Sequence, residues 1–197
     1  MSKSVPAPVR LLSVLLLVAC AGGLTALPWA AEAARAQEEA AAEPCGSVRL
    51  VLVRHAEKEA SGGSDPALTE AGEERARALS RLFAHAGATR FFASQFRRTA
   101  DTLVPWAEAS GADVERYDAR DPEALVATLR GLEPGTLAAV AGHSNTIPDL
   151  ARRLGFPLER LDARGFFPDD EYGRLLVVTL PVGCTGEHAP TLLELAF

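Results

Sequence analysis

The sequence predicts an α/β fold, a three-layer α/β/α sandwich around a mostly parallel central sheet, over residues 45–197. Three observations carry that prediction. Val48–Val53 and Thr136–Ala141 are near-continuous apolar runs, the pattern of strands buried on both faces. Helical patterns with their own start signals lie between the strand-like runs. The order strand then helix recurs along the chain with no internal repeat and no sign of a second domain.

Taken in order, Val48–Val53 is the first strand, ending in Arg54-His55-Ala56-Glu57. Asp65-Pro66-Ala67-Leu68-Thr69 is a turn leading to Thr69, an N-cap candidate. The helix after it is read to about Ala86, with Ala76, Leu79, Phe83 and Ala86 as its core stripe and Gly87 as its C-cap. Arg90–Ala93 is a second strand, and Ser94 is read as a cap for a helix running toward Ser110. Val114–Tyr117 is the third strand. Asp121-Pro122-Glu123 then supplies a cap, a first-turn proline and an acid. The fourth strand ends in Gly142-His143-Ser144-Asn145-Thr146, and a helix follows from about Ile147 to Leu154. Arg174–Leu180 and Thr191–Ala196 are late strands, one of them antiparallel at an edge.

Strand ends carry the polar residues of interest: Arg54 and His55, Arg98 just beyond the second strand, and His143 after the fourth. Ligands bind at the carboxyl edge of open α/β sheets, and neighbouring parallel strands lie only about 4.8 Å apart. A guanidinium matches phosphate geometry, and a neutral imidazole is a nucleophile. Two arginines and two imidazoles converging there form a cationic pocket for one phosphoryl group. Each charge-assisted hydrogen bond in it contributes about 1.5–3 kcal/mol. Any one of these residues alone reads as a surface ion pair or a core histidine; the set of them reads as a site. Ser144 adds a hydroxyl beside His143, or else caps the following helix.

Residues 1–44 read as something other than fold. Lys3 and Arg10 precede the apolar stretch Leu11–Ala19, and Leu17-Val18-Ala19-Cys20 resembles a bacterial lipobox. Residues 1–20 are thus expected to be a signal peptide of the lipoprotein type, with lipid on Cys20. Ala34-Arg35-Ala36 offers a competing signal-peptidase site, and Leu11–Ala31 a membrane anchor that Gly22, Gly23 and Pro28 make poor. All three readings put the folded part outside the cytoplasm. Residues 21–44, rich in Ala and Glu toward their end, read as a flexible tether. With Cys20 lipidated, Cys45 and Cys184 remain as an even pair, which an oxidising compartment permits to form a disulfide.

The chain carries a net charge of −6; without Lys3 and Arg10 it holds 18 basic against 26 acidic residues. An acidic domain lacking a basic run is a poor nucleic-acid binder, so the expected partner is a small phosphorylated substrate. Membrane association is expected only through the lipid.

Arg54-His55-Ala56-Glu57 resembles the "RHG" signature of the histidine phosphatase (phosphoglycerate mutase-like) superfamily, with alanine for glycine. Leu68-Thr69-Glu70-Ala71-Gly72 with Ala76 and Leu79 is similar to that family's "LT..G…A..L" segment. Ser94 with Arg98 four residues on is similar to its second-arginine segment, and Gly142-His143-Ser144 to its "GH" segment. The resemblance implies a phosphoglycerate mutase-like fold and a metal-independent phosphomonoester hydrolase without a cofactor. It makes His55 the nucleophile, and Arg54, Arg98 and His143 the ligands of the equatorial oxygens. Many members place a glutamate acid after the third strand; Tyr117-Asp118-Ala119-Arg120 stands there, which leaves Asp118 as the nearest proton donor by position. A non-catalytic phosphate binder of the same fold, and a phosphomutase, are the alternatives. A serine hydrolase is disfavoured because Thr146 stands where a nucleophile elbow needs glycine. A zinc site is disfavoured for want of HExxH spacing or cysteine ligands.

Overall fold

A computed structural model describes residues 46–183 and 188–197. Cys20, Cys45 and Cys184 fall outside the described residues, so the lipid site and the disulfide expected from sequence do too.

Six strands form one sheet, β1 (Gly46–Arg54), β2 (Arg90–Ser94), β3 (Val114–Tyr117), β4 (Leu137–Gly142), β5 (Arg174–Val182) and β6 (Thr191–Ala196), in the order β3-β2-β4-β1-β5-β6. Pairing is parallel from β3 through β1, while β5 pairs antiparallel with both β1 and β6. The helices are α1 (Glu70–Leu82), α2 (Arg97–Ser110), α3 (Pro122–Arg130) and α4 (Thr146–Arg153). The α/β/α sandwich is therefore as expected, with one refinement. The reversed strand is β5, and it lies inside the sheet rather than at its edge.

β1 shows why the sheet is buried on both sides. Val48, Leu50 and Leu52 face one core with Leu125 and Leu129 of α3, Ile147 and Leu150 of α4 and Leu154 at its C-cap. Val51 and Val53 face the other, with Leu79 of α1 and Leu103 and Trp106 of α2. Strand alternation thus feeds two cores from one strand. Each fully buried aliphatic side chain there contributes about 1.5–3 kcal/mol.

Helix boundaries follow local chemistry. Thr69 caps α1, its Oγ1 accepting from Gly72 N at 3.1 Å, and Asp121 caps α3, its Oδ1 accepting from Ala124 N at 3.0 Å. Two expectations are corrected. α1 ends at Leu82 with Phe83 as its C-cap, short of Ala86, and Gly87 serves the turn beyond it with φ +69°. Ser94 belongs to β2 and does not cap α2; its hydroxyl lies buried against the Thr99 hydroxyl at 2.9 Å.

Gly72 has a packing reason. Thr69 N donates to Glu57 O at 2.9 Å, which draws the first turn of α1 onto the segment after β1, and a Cβ at Gly72 would overlap the Glu57 carbonyl. Gly72→Ala is therefore expected to lower unfolding free energy by about 1–3 kcal/mol, as overpacking does. Urea denaturation measures it, and an unchanged midpoint would show that α1 shifts freely.

Candidate active site

Because α1 and α2 pack on one face and α3 and α4 on the other, the chain leaves β1 and β2 on one side and β4, between them, on the other. That reversal opens a crevice at the carboxyl edge of the sheet. Arg54 pairs with Gly142 in the β1–β4 register, and His55 N donates to Gly142 O at 2.8 Å. On the far side of β4, Ala93 pairs with Ala141, which sets Ser94 near His143.

His55 and His143 meet with ring centroids 5.4 Å apart, edge to face. His55 is buried at 4% exposure. Its Nδ1 lies 2.8 Å from the carbonyl of Ala56, an acceptor only, so Nδ1 carries the proton and Nε2 keeps its lone pair. Ala56 N in turn donates to Thr102 Oγ1 at 2.9 Å, and that hydroxyl donates to Arg98 O, which ties the nucleophile's loop to α2. Burial holds the His55 imidazole at about 3, the Ala56 bond opposing it and the charges of His143, Arg98 and Arg54 reinforcing it. His143 is held at about 4, first by burial and then by Arg98 and Arg54, with Asp65 pulling the other way. Both rings are neutral at pH 7.

Arg54 is 7% exposed and its guanidinium is divided in use. Nη1 donates to Pro168 O at 2.8 Å and to Glu171 O at 3.0 Å, and the group lies 4.1 Å from the centroid of the Tyr172 ring. Its Nε is buried with no partner among the described residues. Among the described residues no bond is made by the Nε–Nη2 edge, a geometry able to grip two oxygens at once.

Arg98 is held more loosely. Nη2 is 3.4 Å from His143 Nδ1, Nη1 is 3.4 Å from Ser64 O and 3.5 Å from Asp65 Oδ1, and Nε is buried without a partner among the described residues. Phe96 lies beneath its guanidinium at 4.3 Å and edge-on to His143 at 5.2 Å. Arg97, the other arginine of the pair, is exposed and bonds Asp101. His143 Nε2 meets Ser94 Oγ at 2.9 Å. Ser144 is half-buried; its carbonyl accepts from Phe167 N at 2.9 Å.

Asp118, the proton donor expected by position, is engaged by a neighbour. Asp118 lies on the exposed loop after β3 with its carboxylate on Arg120, at 3.0 Å to Nε and 2.8 Å to Nη2, and those bonds hold it at about 2. The pair is exposed and so of small energy. Glu57, just after β1, is likewise engaged: Arg75 Nη2 donates to it at 2.6 Å, and this pairing keeps its carboxyl below the usual range.

Sequence reading passed over Tyr172. It sits in the loop 154–173, two residues before β5, and its ring lies 6.1 Å from that of His55. Buried Arg174 staples this loop, donating to Glu159 O and Glu194 Oε1, each at 2.8 Å, with Phe167 beneath it at 4.9 Å. No periodicity marks such a residue; its one signal was being an aromatic in an otherwise acidic stretch.

Residues 50–120 match the histidine phosphatase superfamily, branch 1. That segment carries Arg54, His55 and Arg98, so motif and site geometry fall on the same residues. No curated protein matches the chain by sequence. Among solved structures, the chain is similar to the protein histidine phosphatase SixA complexed with tungstate, at TM-score 0.58 and 18% identity, covering 75% of this chain and 96% of that one. It is similar to a mycobacterial glucosyl-3-phosphoglycerate phosphatase at 0.51 and 18%, covering 68% and 90%. It is also similar to a phosphoglycerate mutase from Plasmodium falciparum at 0.51 and 15%, covering 77% and 91%. At these identities the likeness is one of fold, phosphoglycerate mutase-like.

Proposed function

We propose that the protein is a phosphoric monoester hydrolase in which His55 takes the phosphoryl group as a phosphohistidine. The observation that supports this best is a buried, neutral His55 with a free Nε2 beside the uncommitted Nε–Nη2 edge of Arg54. Nε2 attacks phosphorus as the ester oxygen leaves from the opposite side. Charge gathering on the three equatorial oxygens is met by Arg54, Arg98 and His143, with Ser144 beside them. Water then attacks the phosphohistidine, the P–N bond breaks, and the lone pair returns to Nε2. The positive charge is supplied by side chains, so the proposed mechanism uses no metal.

The pairing of Asp118 with Arg120 disfavours it as a proton donor to the leaving group. Substrates that depart as stable anions, or from nitrogen as in the phosphohistidine of SixA-type enzymes, therefore suit the site better than simple alkyl phosphates. The same observation favours the second reading, a phosphate binder without turnover; a phosphomutase, which needs acid–base help in both directions, is less supported. The test is p-nitrophenyl phosphate hydrolysis by purified protein with chelator present. Turnover is expected to persist; its loss on chelation would sink the metal-free mechanism, and a wild-type rate equal to that of His55→Ala would favour the binder.

The reading of residues 1–44 supports an exported protein tethered through lipid on Cys20. Mass spectrometry of the N-terminal peptide is expected to show a lipid increment that Cys20→Ala abolishes. An unmodified terminus at Gln37 would instead indicate cleavage after Ala36.

A further inference from the structure

We infer that Asp65 is a specificity-determining residue that favours phosphorylated ligands carrying a positive charge next to the phosphoryl group over those carrying a negative one. The inference rests on the phosphate site proposed above and concerns the part of the ligand that projects from it.

Asp65 lies in the loop between β1 and α1, at the mouth of the crevice, with its Oδ1 3.5 Å from Arg98 Nη1. What fixes it there is not Arg98. Both carboxylate oxygens accept from the backbone of Arg97, at 2.9 and 3.0 Å, across the first turn of α2. These are the two arms of one bifurcated, charge-assisted bond from a single N–H, shorter than any contact of the Arg98 guanidinium. When a phosphoryl group engages Arg98, the arginine has slack to turn toward it and the carboxylate stays in place. The site therefore keeps a fixed negative charge about one guanidinium's width from the bound phosphate.

Its field reaches the floor of the pocket, since it acts on the His143 ring in opposition to Arg98 and Arg54. The floor is cationic, the rim beside Arg98 anionic. A phosphoryl group with a nearby ammonium satisfies both; one with a nearby carboxylate or second phosphate meets repulsion at the rim. Asp65 is partly exposed, so solvent and salt screen the effect. A change on the order of 10-fold in relative affinity, about 1.4 kcal/mol, is the expected scale.

Two-carbon ligands of opposite charge make the comparison: phosphoethanolamine and phosphoglycolate, titrated calorimetrically into wild type, Asp65→Asn and Asp65→Glu, with inorganic phosphate as reference. Asparagine still caps a helix, so the variant is expected to fold. Wild type should prefer phosphoethanolamine. Asp65→Asn should shrink that preference by about 10-fold, chiefly by tightening phosphoglycolate, and Asp65→Glu should restore part of it. Raising salt should narrow the preference in wild type more than in Asp65→Asn. An unchanged preference in Asp65→Asn, or equal weakening of all three ligands, would overturn the inference and leave Asp65 as a helix cap only. Failure of the wild type to bind inorganic phosphate at all would instead overturn the phosphate-site reading beneath it.

Discussion

Replacing His55 with alanine is expected to lower p-nitrophenyl phosphate turnover on the order of 10⁴-fold or more, because it removes the only group proposed to take the phosphoryl covalently. Affinity for inorganic phosphate should fall far less, since Arg54 and Arg98 remain. Stopped-flow turnover and phosphate titration separate the two, and parallel loss in both would indicate that His55 is needed for binding rather than for chemistry. The pH profile carries the same prediction. A base held near 3, beside one held near 4, stays unprotonated as pH falls from 7 toward 5. With the substrate's own ionisation near pH 6 divided out, kcat/KM should hold over that interval and drop only below about pH 4. Stability has the opposite dependence. Unfolding lets both rings return to 6.5, so between the folded values and 6.5 the unfolded chain binds more protons, and acid weakens the fold across that window. Thermal melts from pH 7 to 4 are expected to show a falling midpoint.

Arg54→Ala is expected to reduce kcat by about 10²–10³-fold, the scale of losing a preorganised donor to a transition-state oxyanion. Arg54→Lys should rescue little of it. An ammonium has no flat edge to offer two oxygens while also reaching the carbonyls of Pro168 and Glu171. Both variants remove an anchor of the loop 154–173, and faster amide hydrogen exchange there should accompany the rate loss. Full activity in Arg54→Lys would show that charge alone matters and that the edge-on grip is not used.

Which parts of this molecule could be read beforehand has a physical pattern. β1 and β4 were legible because strands buried on both faces are spelled as apolar runs, and their neighbours in space did not need to be known. Arg54, His55, Arg98 and His143 were legible because strand ends fix where such residues emerge. Thr69 and Asp121 were legible as caps because capping is local. The end of α1 was not, since Phe83 and Ala86 continue the apolar spacing while packing from outside the helix. Ser94 looked like a cap until its register with Tyr117 fixed it in β2. Asp118 was suggested by its place after β3, and its pairing with Arg120 two residues on was not foreseen. Tyr172 comes 118 residues after Arg54 and Asp65 33 residues before Arg98, so no local spacing announces them: one stacks on Arg54, the other abuts Arg98.

The reversed strand β5 has a consequence for how this scaffold can change. Since it runs against β1, its first residues lie where β1 finishes, with Val53 opposite Leu175. The preceding loop therefore delivers its last residues to the crevice without having to cross the sheet. Its length is decoupled from strand register, which the β1–β5 ladder sets independently. Residues inserted in the turn near 162–165, outside the stretch Pro168–Tyr172 that touches Arg54, would lengthen the loop and leave the ladder unshifted. Length is thus free to vary in this loop, while its last residues are bound to Arg54.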